Sequence, residues 1–271
     1  MQRFANMAAP HWLGLYGAIA AAWIGVWLIV APPGAATWLA DICFTPTGEI
    51  GLAGALLMWL LMSAAMMLPT VLPALATYDD LVHAGWKRNI RRPRRRDSAR
   101  AVVAWGLRPA AADAHPSTGA AALIAGYVAV WVSVALLAAA AQVAGAALGR
   151  PVGVENLTPA AMAAFLAVAG LYQFSPMKAA CLSRCRAPLT FFMAYWHLSP
   201  FAMGVRLGAV CLGCCWALML IVFAGGMTSL AAMAVGTLVI IAEKLDTGTR
   251  LPHALGFACL AAAGYLIGGF A

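Results

Sequence analysis

Cys211-Leu212-Gly213-Cys214-Cys215-Trp216-Ala217-Leu218-Met219 sets three thiols and a thioether within one short apolar run. At about 100° per residue, Cys211, Cys214 and Cys215 share one side of a helix, and Met219 sits a turn beyond Cys215. Soft sulfur donors select Cu(I), Zn or iron–sulfur clusters over Mg or Ca. The competing explanation is packing. Cysteine is a small hydrophobe that fills interiors, and Gly213 with its small neighbours lets helices approach closely.

A second thiol pair stands upstream in Lys178-Ala179-Ala180-Cys181-Leu182-Ser183-Arg184-Cys185-Arg186. If this piece is helical, Cys181 and Cys185 are a turn apart and face the same way. Lys178, Arg184 and Arg186 surround them, and neighbouring cations favour the thiolate, which is the ligand form. A third group is thioether. Met58, Met62 and Met66 follow an i, i+4, i+8 line that ends just before Pro69, with Met67 about 100° around from Met66. Methionine often only fills gaps. Pro69 and Pro73, however, each remove a helix hydrogen bond, at the carbonyls of Ala65 and Pro69. A thioether ladder beside a broken helix fits a path for a soft monovalent ion.

Glu243 and Lys244 close a later apolar run. Adjacent residues point in different directions on a helix, so these two need not pair with each other. Ionisable groups at such a position are functional candidates, with snorkelling to water as the alternative. Cys43, Cys259, His11, His83, His115 and His253 stand apart and read as packing or loop residues. His197 becomes a ligand only if the aromatic segment 188–204 folds back onto the cysteine face.

The elements that must carry these residues follow from composition. Of the 271 residues, 64% are hydrophobic and 10% charged, which is the signature of an integral membrane protein in one domain. Seven spans are expected, near 12–31, 51–77, 119–148, 158–174, 206–225, 228–243 and 252–270. Those near 158–174, 228–243 and 252–270 are short enough to be tilted, buried or re-entrant, so six or seven transmembrane helices are expected in an all-α polytopic bundle. Thr158-Pro159 marks one helix start. Cys211 falls about one turn into the span that begins near 206.

Lysine and arginine fix the orientation. The loop 79–118 is strongly basic and must be cytosolic, which sets the N-terminus inside and both cysteine groups towards a reducing compartment. That loop reads as a mobile topology anchor near anionic lipid. The basic excess is confined to such loops, so nucleic acid is not an expected partner. Nothing has the glycine-rich pattern of a nucleotide site.

The run Met62-Ser63-Ala64-Ala65-Met66-Met67-Leu68-Pro69, the Lys178-to-Leu189 segment with its Lys-x-x-Cys-Leu-x-x-Cys-Arg-x-Pro pattern, the stretch from Gly208 to Met219, and Glu243-Lys244 occur in that order. Together they resemble the bacterial predicted metal-binding integral membrane proteins, a family defined by a domain of unknown function. The resemblance spans roughly residues 50–245. It implies membrane location and metal binding, and implies neither a particular metal nor a reaction.

The expected function is a membrane metal-binding protein of the bacterial inner membrane, handling Cu(I) as carrier, chaperone or delivery subunit for another membrane protein or metalloenzyme. Met62, Met66, Cys181, Cys185, Cys211, Cys214 and Cys215 are the expected metal ligands, used a few at a time. Copper is favoured because thioethers accompany thiols, whereas Zn would bring histidine and carboxylate. An enzymatic role is not required. The alternatives are a membrane thiol–disulfide oxidoreductase using Cys181 and Cys185, and a structural subunit of a larger complex.

Overall fold

A computed structural model describes residues 10–30, 51–84, 116–147, 158–224 and 229–269. Most of the basic loop, with Cys43, His115 and Arg150, lies outside these described residues. Within them the chain is all-α, as the composition requires. The helices are α1 (Pro10–Val30), α2 (Leu52–His83), α3 (Pro116–Ala147), α4 (Pro159–Gln173), α5 (Pro176–Arg186), α6 (Pro188–Tyr195), α7 (Pro200–Ala224), α8 (Leu230–Leu245) and α9 (Arg250–Gly268).

Five of them (α1, α2, α3, α7 and α9) are long and apolar enough to cross a membrane. The pair α4 and α5, bent by 65° at a short break, makes a sixth if counted as one span. The expected span near 228–243 corresponds to α8, which forms but has only 16 residues. The count among the described residues is therefore five or six.

Helix starts follow a repeated local rule. Thr158, Ser175 and Ser199 each precede a proline and each accept a hydrogen bond from the backbone N–H three residues on, at 3.2, 3.1 and 3.2 Å. A hydroxyl at the N-cap satisfies one orphan donor, and proline at the first helical position is pre-set for the turn that follows. The rule holds at Ser199-Pro200 as well. Helix α7 thus begins at Pro200 rather than near 206, and Cys211 lies roughly three turns inside it.

Helix α2 also differs from expectation. It runs unbroken through Pro69 and Pro73. Thr70 Oγ1 and Tyr127 Oη both donate to the Met67 carbonyl, at 2.8 and 3.0 Å, and Thr77 Oγ1 donates to the Pro73 carbonyl at 2.9 Å. Hydroxyls thus bond backbone oxygens of the same stretch, beside the carbonyls of Ala65 and Pro69 that the prolines free.

The core is centred where α2, α3 and α7 meet. Glycines set the α3–α7 distance. A Cβ on Gly126 would fall 2.1 Å from the Phe201 carbonyl oxygen, and one on Gly204 would fall 2.0 Å from that of Leu123. The two backbones are in contact there, as small residues permit in membrane helix pairs. This contact fixes the axial position of α7, and with it the height of the cysteines.

Candidate metal centre

Cys211, Cys214 and Cys215 lie on the buried face of α7, at 1%, 2% and 1% exposure. Their sulfurs all lie within 4.8 Å of one another. The thiols of Cys214 and Cys215 donate back to the Cys211 carbonyl at 3.1 and 2.8 Å, so the three side chains are gathered on one turn. Cys211 and Cys215 sulfurs are 3.9 Å apart. A single ion with metal–sulfur bonds near about 2.3 Å needs sulfur separations of roughly 4 Å, so little movement is required.

Helix α5 brings the fourth thiol. Cys185 Sγ is 3.7 Å from Cys214 Sγ. Cys181 lies a turn earlier, against Gly213, where a Cβ would fall 2.6 Å from the Cys181 sulfur. Gly213 is therefore the residue that lets α5 and α7 close. Its carbonyl accepts a hydrogen bond from Tyr172 Oη of α4.

An ion pair and a hydrogen bond from a guanidinium hold α5 in place. Lys178 Nζ donates to both Glu243 carboxylate oxygens at 2.9 and 2.8 Å, in a pair that is 1% and 3% exposed. Arg186 Nε donates to the Glu243 carbonyl at 2.8 Å. Lys178, Cys181 and Cys185 follow the i, i+3, i+7 spacing of one helix face. The cations of the Lys-x-x-Cys-x-x-x-Cys-Arg motif therefore anchor α5 to the end of α8, while its thiols meet α7.

The next residue on α8 turns the other way. Lys244 Nζ is 3.2 Å from Cys211 Sγ. Tyr127 Oη is 3.2 Å from the same sulfur, and Thr70 Oγ1 is 3.8 Å from it. A Cu(I) ion held by two or three thiolates carries net negative charge. The Lys244 ammonium beside Cys211 offsets that charge, while the Tyr127 and Thr70 hydroxyls give their hydrogens to the Met67 carbonyl.

A thioether stands beside the thiols, as Met67 Sδ is 3.7 Å from Cys215 Sγ. Met62 and Met66 are buried in the same helix. The Met66 methyl lies 3.3 Å from the position of a Cβ on Gly236, so this residue faces α8. The i, i+4 ladder identifies a stripe, and Met67, just beside it, reaches Cys215. Tyr127 and Thr70 are site residues with no sequence signal, whereas Lys244 stands out in the sequence as an ionisable residue at a helix end.

His197, exposed in the turn between α6 and α7, lies outside the cavity beside these thiols. His11 is not isolated. Its Nε2 is 2.9 Å from Asp79 Oδ2, which also accepts from Trp12 Nε1 at 2.8 Å, and this network joins α1 to α2.

A partly open cavity of about 230 Å³ reaches the site, lined by Thr70, Tyr127, Cys185, Arg186, Cys211 and Lys244 among others. An all-α bundle with long apolar helices and a buried cluster of free thiols defines a metal-handling protein. The chain belongs to the PpoB2 copper chaperone family, whose model matches residues 56–266. The matched stretch takes in every sulfur of the cluster. No curated protein and no solved structure matches the chain. The resemblance noted above is upheld as to metal binding, with copper now the metal of the family.

Proposed function

We propose that this protein is a membrane-embedded Cu(I) chaperone, which takes the ion onto Cys185, Cys211, Cys214 and Cys215 and passes it to a partner protein. The observation that carries the reading is the 3.7 Å approach of Cys185 on α5 to Cys214 on α7, with Met67 Sδ 3.7 Å from Cys215. Thiols and a thioether from three helices favour a soft monovalent ion over Zn or Mg. Cys181 is the adjoining donor, positioned for stepwise ligand exchange. The long apolar helices support membrane embedding. The basic loop supports a cytosolic N-terminus, so a reporter fused at residue 95 should read cytosolic and one at residue 153 extracytoplasmic. The reverse pattern would overturn the orientation.

The test of function is metal content. Protein purified in detergent under reducing, anaerobic conditions should bind Cu(I) with defined stoichiometry. The Cys211/Cys214/Cys215→Ser variant should not. Equal copper in both would refute the reading.

A thiol–disulfide relay is the second reading, since Cys185 and Cys214 are close enough to exchange. It gives no role to Met67, and the family match favours copper.

A further inference from the structure

The cavity beside the thiols has an electrostatic character that the copper reading alone does not explain. Its lining includes two cations, Arg186 and Lys244, and no carboxylate among the described residues. Lys244 is directed at Cys211. Arg186 uses Nε on the Glu243 carbonyl, while its Nη2 is buried without a hydrogen-bond partner among the described residues. Thr70 and Tyr127 add hydroxyls, and Cys185 and Cys211 supply the receiving thiols.

A free Cu(I) cation entering this cavity would meet two positive charges beside the thiols that line it. An anion would meet the opposite field, focused by low-dielectric walls. We propose that the cavity is a docking site for Cu(I) carried as an anionic bis-thiolate complex of a small, carboxylate-bearing thiol. The inference rests on the copper reading and specifies the form in which the ion arrives. Arg186 receives the carboxylate of the carrier, and Lys244 the negative charge of the complex beside Cys211.

Transfer is then ligand exchange with no redox change. Two bonds from Cu(I) to carrier sulfur break, and two to protein sulfur form, beginning at Cys185 or Cys211. The two protein thiol protons pass to the two departing carrier thiolates, which leave as neutral thiols. Copper remains Cu(I), and no further reactant is needed. The bound ion can then move towards Cys214 and Cys215, which lie one sulfur contact further in, at 3.7 Å from Cys185 and 3.9 Å from Cys211.

The experiment compares two donors on the full chain in detergent, reduced and anaerobic. Cu(I)–glutathione is the anionic donor and tetrakis(acetonitrile)copper(I) the cationic one. Loading from the anionic donor should slow as salt rises, and Arg186→Gln should slow it by about tenfold. Arg186→Lys should keep most of the rate. In Arg186→Gln, loading from the cationic donor should slow less than loading from the anionic one, since the variant also loses the Nε contact that anchors α5.

Equal slowing of both donors by Arg186→Gln, or an anionic-donor rate indifferent to salt, would overturn the route while leaving copper binding intact. The salt dependence of the unmodified protein decides the matter if the variant fails to fold. No uptake from either donor would overturn the copper reading as well.

Discussion

Two lysines near the end of α8 occupy contrasting environments. Lys178 is 1% exposed, and both oxygens of Glu243 receive its ammonium. Lys244, the neighbour of that glutamate, is half-buried, and it places its ammonium against a thiol. The first arrangement is closed, because the charges neutralise each other and the geometry fixes α5. The second is open, because its cation has a thiol rather than a carboxylate beside it and lines a cavity. Charge satisfied within the fold builds the frame, and charge left in reserve marks where an anionic species forms. Adjacent residues on one helix serve both purposes because they project about 100° apart.

Breaking the frame should give the largest effect on stability. Lys178→Met leaves the Glu243 carboxylate buried and unpaired, which should cost about 3–5 kcal/mol. Adding Glu243→Met should restore much of it. Lys244→Met should instead cost on the order of 1 kcal/mol, the net value of one hydrogen bond, and weaken Cu(I) binding by about tenfold, equivalent to about 1.4 kcal/mol. Unfolding in detergent and competition with a Cu(I) chelator measure the two effects. Similar stability losses from both lysine variants would erase the distinction between frame and site.

The methionines sharpen the comparison at smaller scale. Met67→Leu and Met66→Leu each conserve volume and should each cost less than about 1.5 kcal/mol in stability. Only Met67→Leu should lower Cu(I) affinity, since the Met67 sulfur is the one 3.7 Å from Cys215. A loss confined to Met66→Leu would reverse the assignment.

Much of this was legible in the chain. Apolar length and the Thr158-Pro159 start point to the helices, and the clustering of Cys211, Cys214 and Cys215 points to the site. Helical phase within a stripe was harder. A ladder at i, i+4 shows that Met62 and Met66 share a face, but which face meets α7 depends on how α2 packs. Packing turned Met67 inward to the thiols and Met66 to Gly236. The start of α7 was displaced because Pro200 reads equally as a breaker and as a first helical residue, and the Ser199 hydroxyl decides between them. Contacts such as Tyr127 with Cys211, 84 positions apart, leave no local trace. They follow only from the glycine-mediated closeness of α3 and α7.

The most direct test of the central claim is X-ray absorption at the copper edge on protein loaded with Cu(I) under anaerobic conditions. The account predicts a first shell of sulfur only, with the sulfur count reduced in Cys214→Ser and in Cys185→Ser. A shell dominated by nitrogen or oxygen, or one unchanged in both variants, would contradict it.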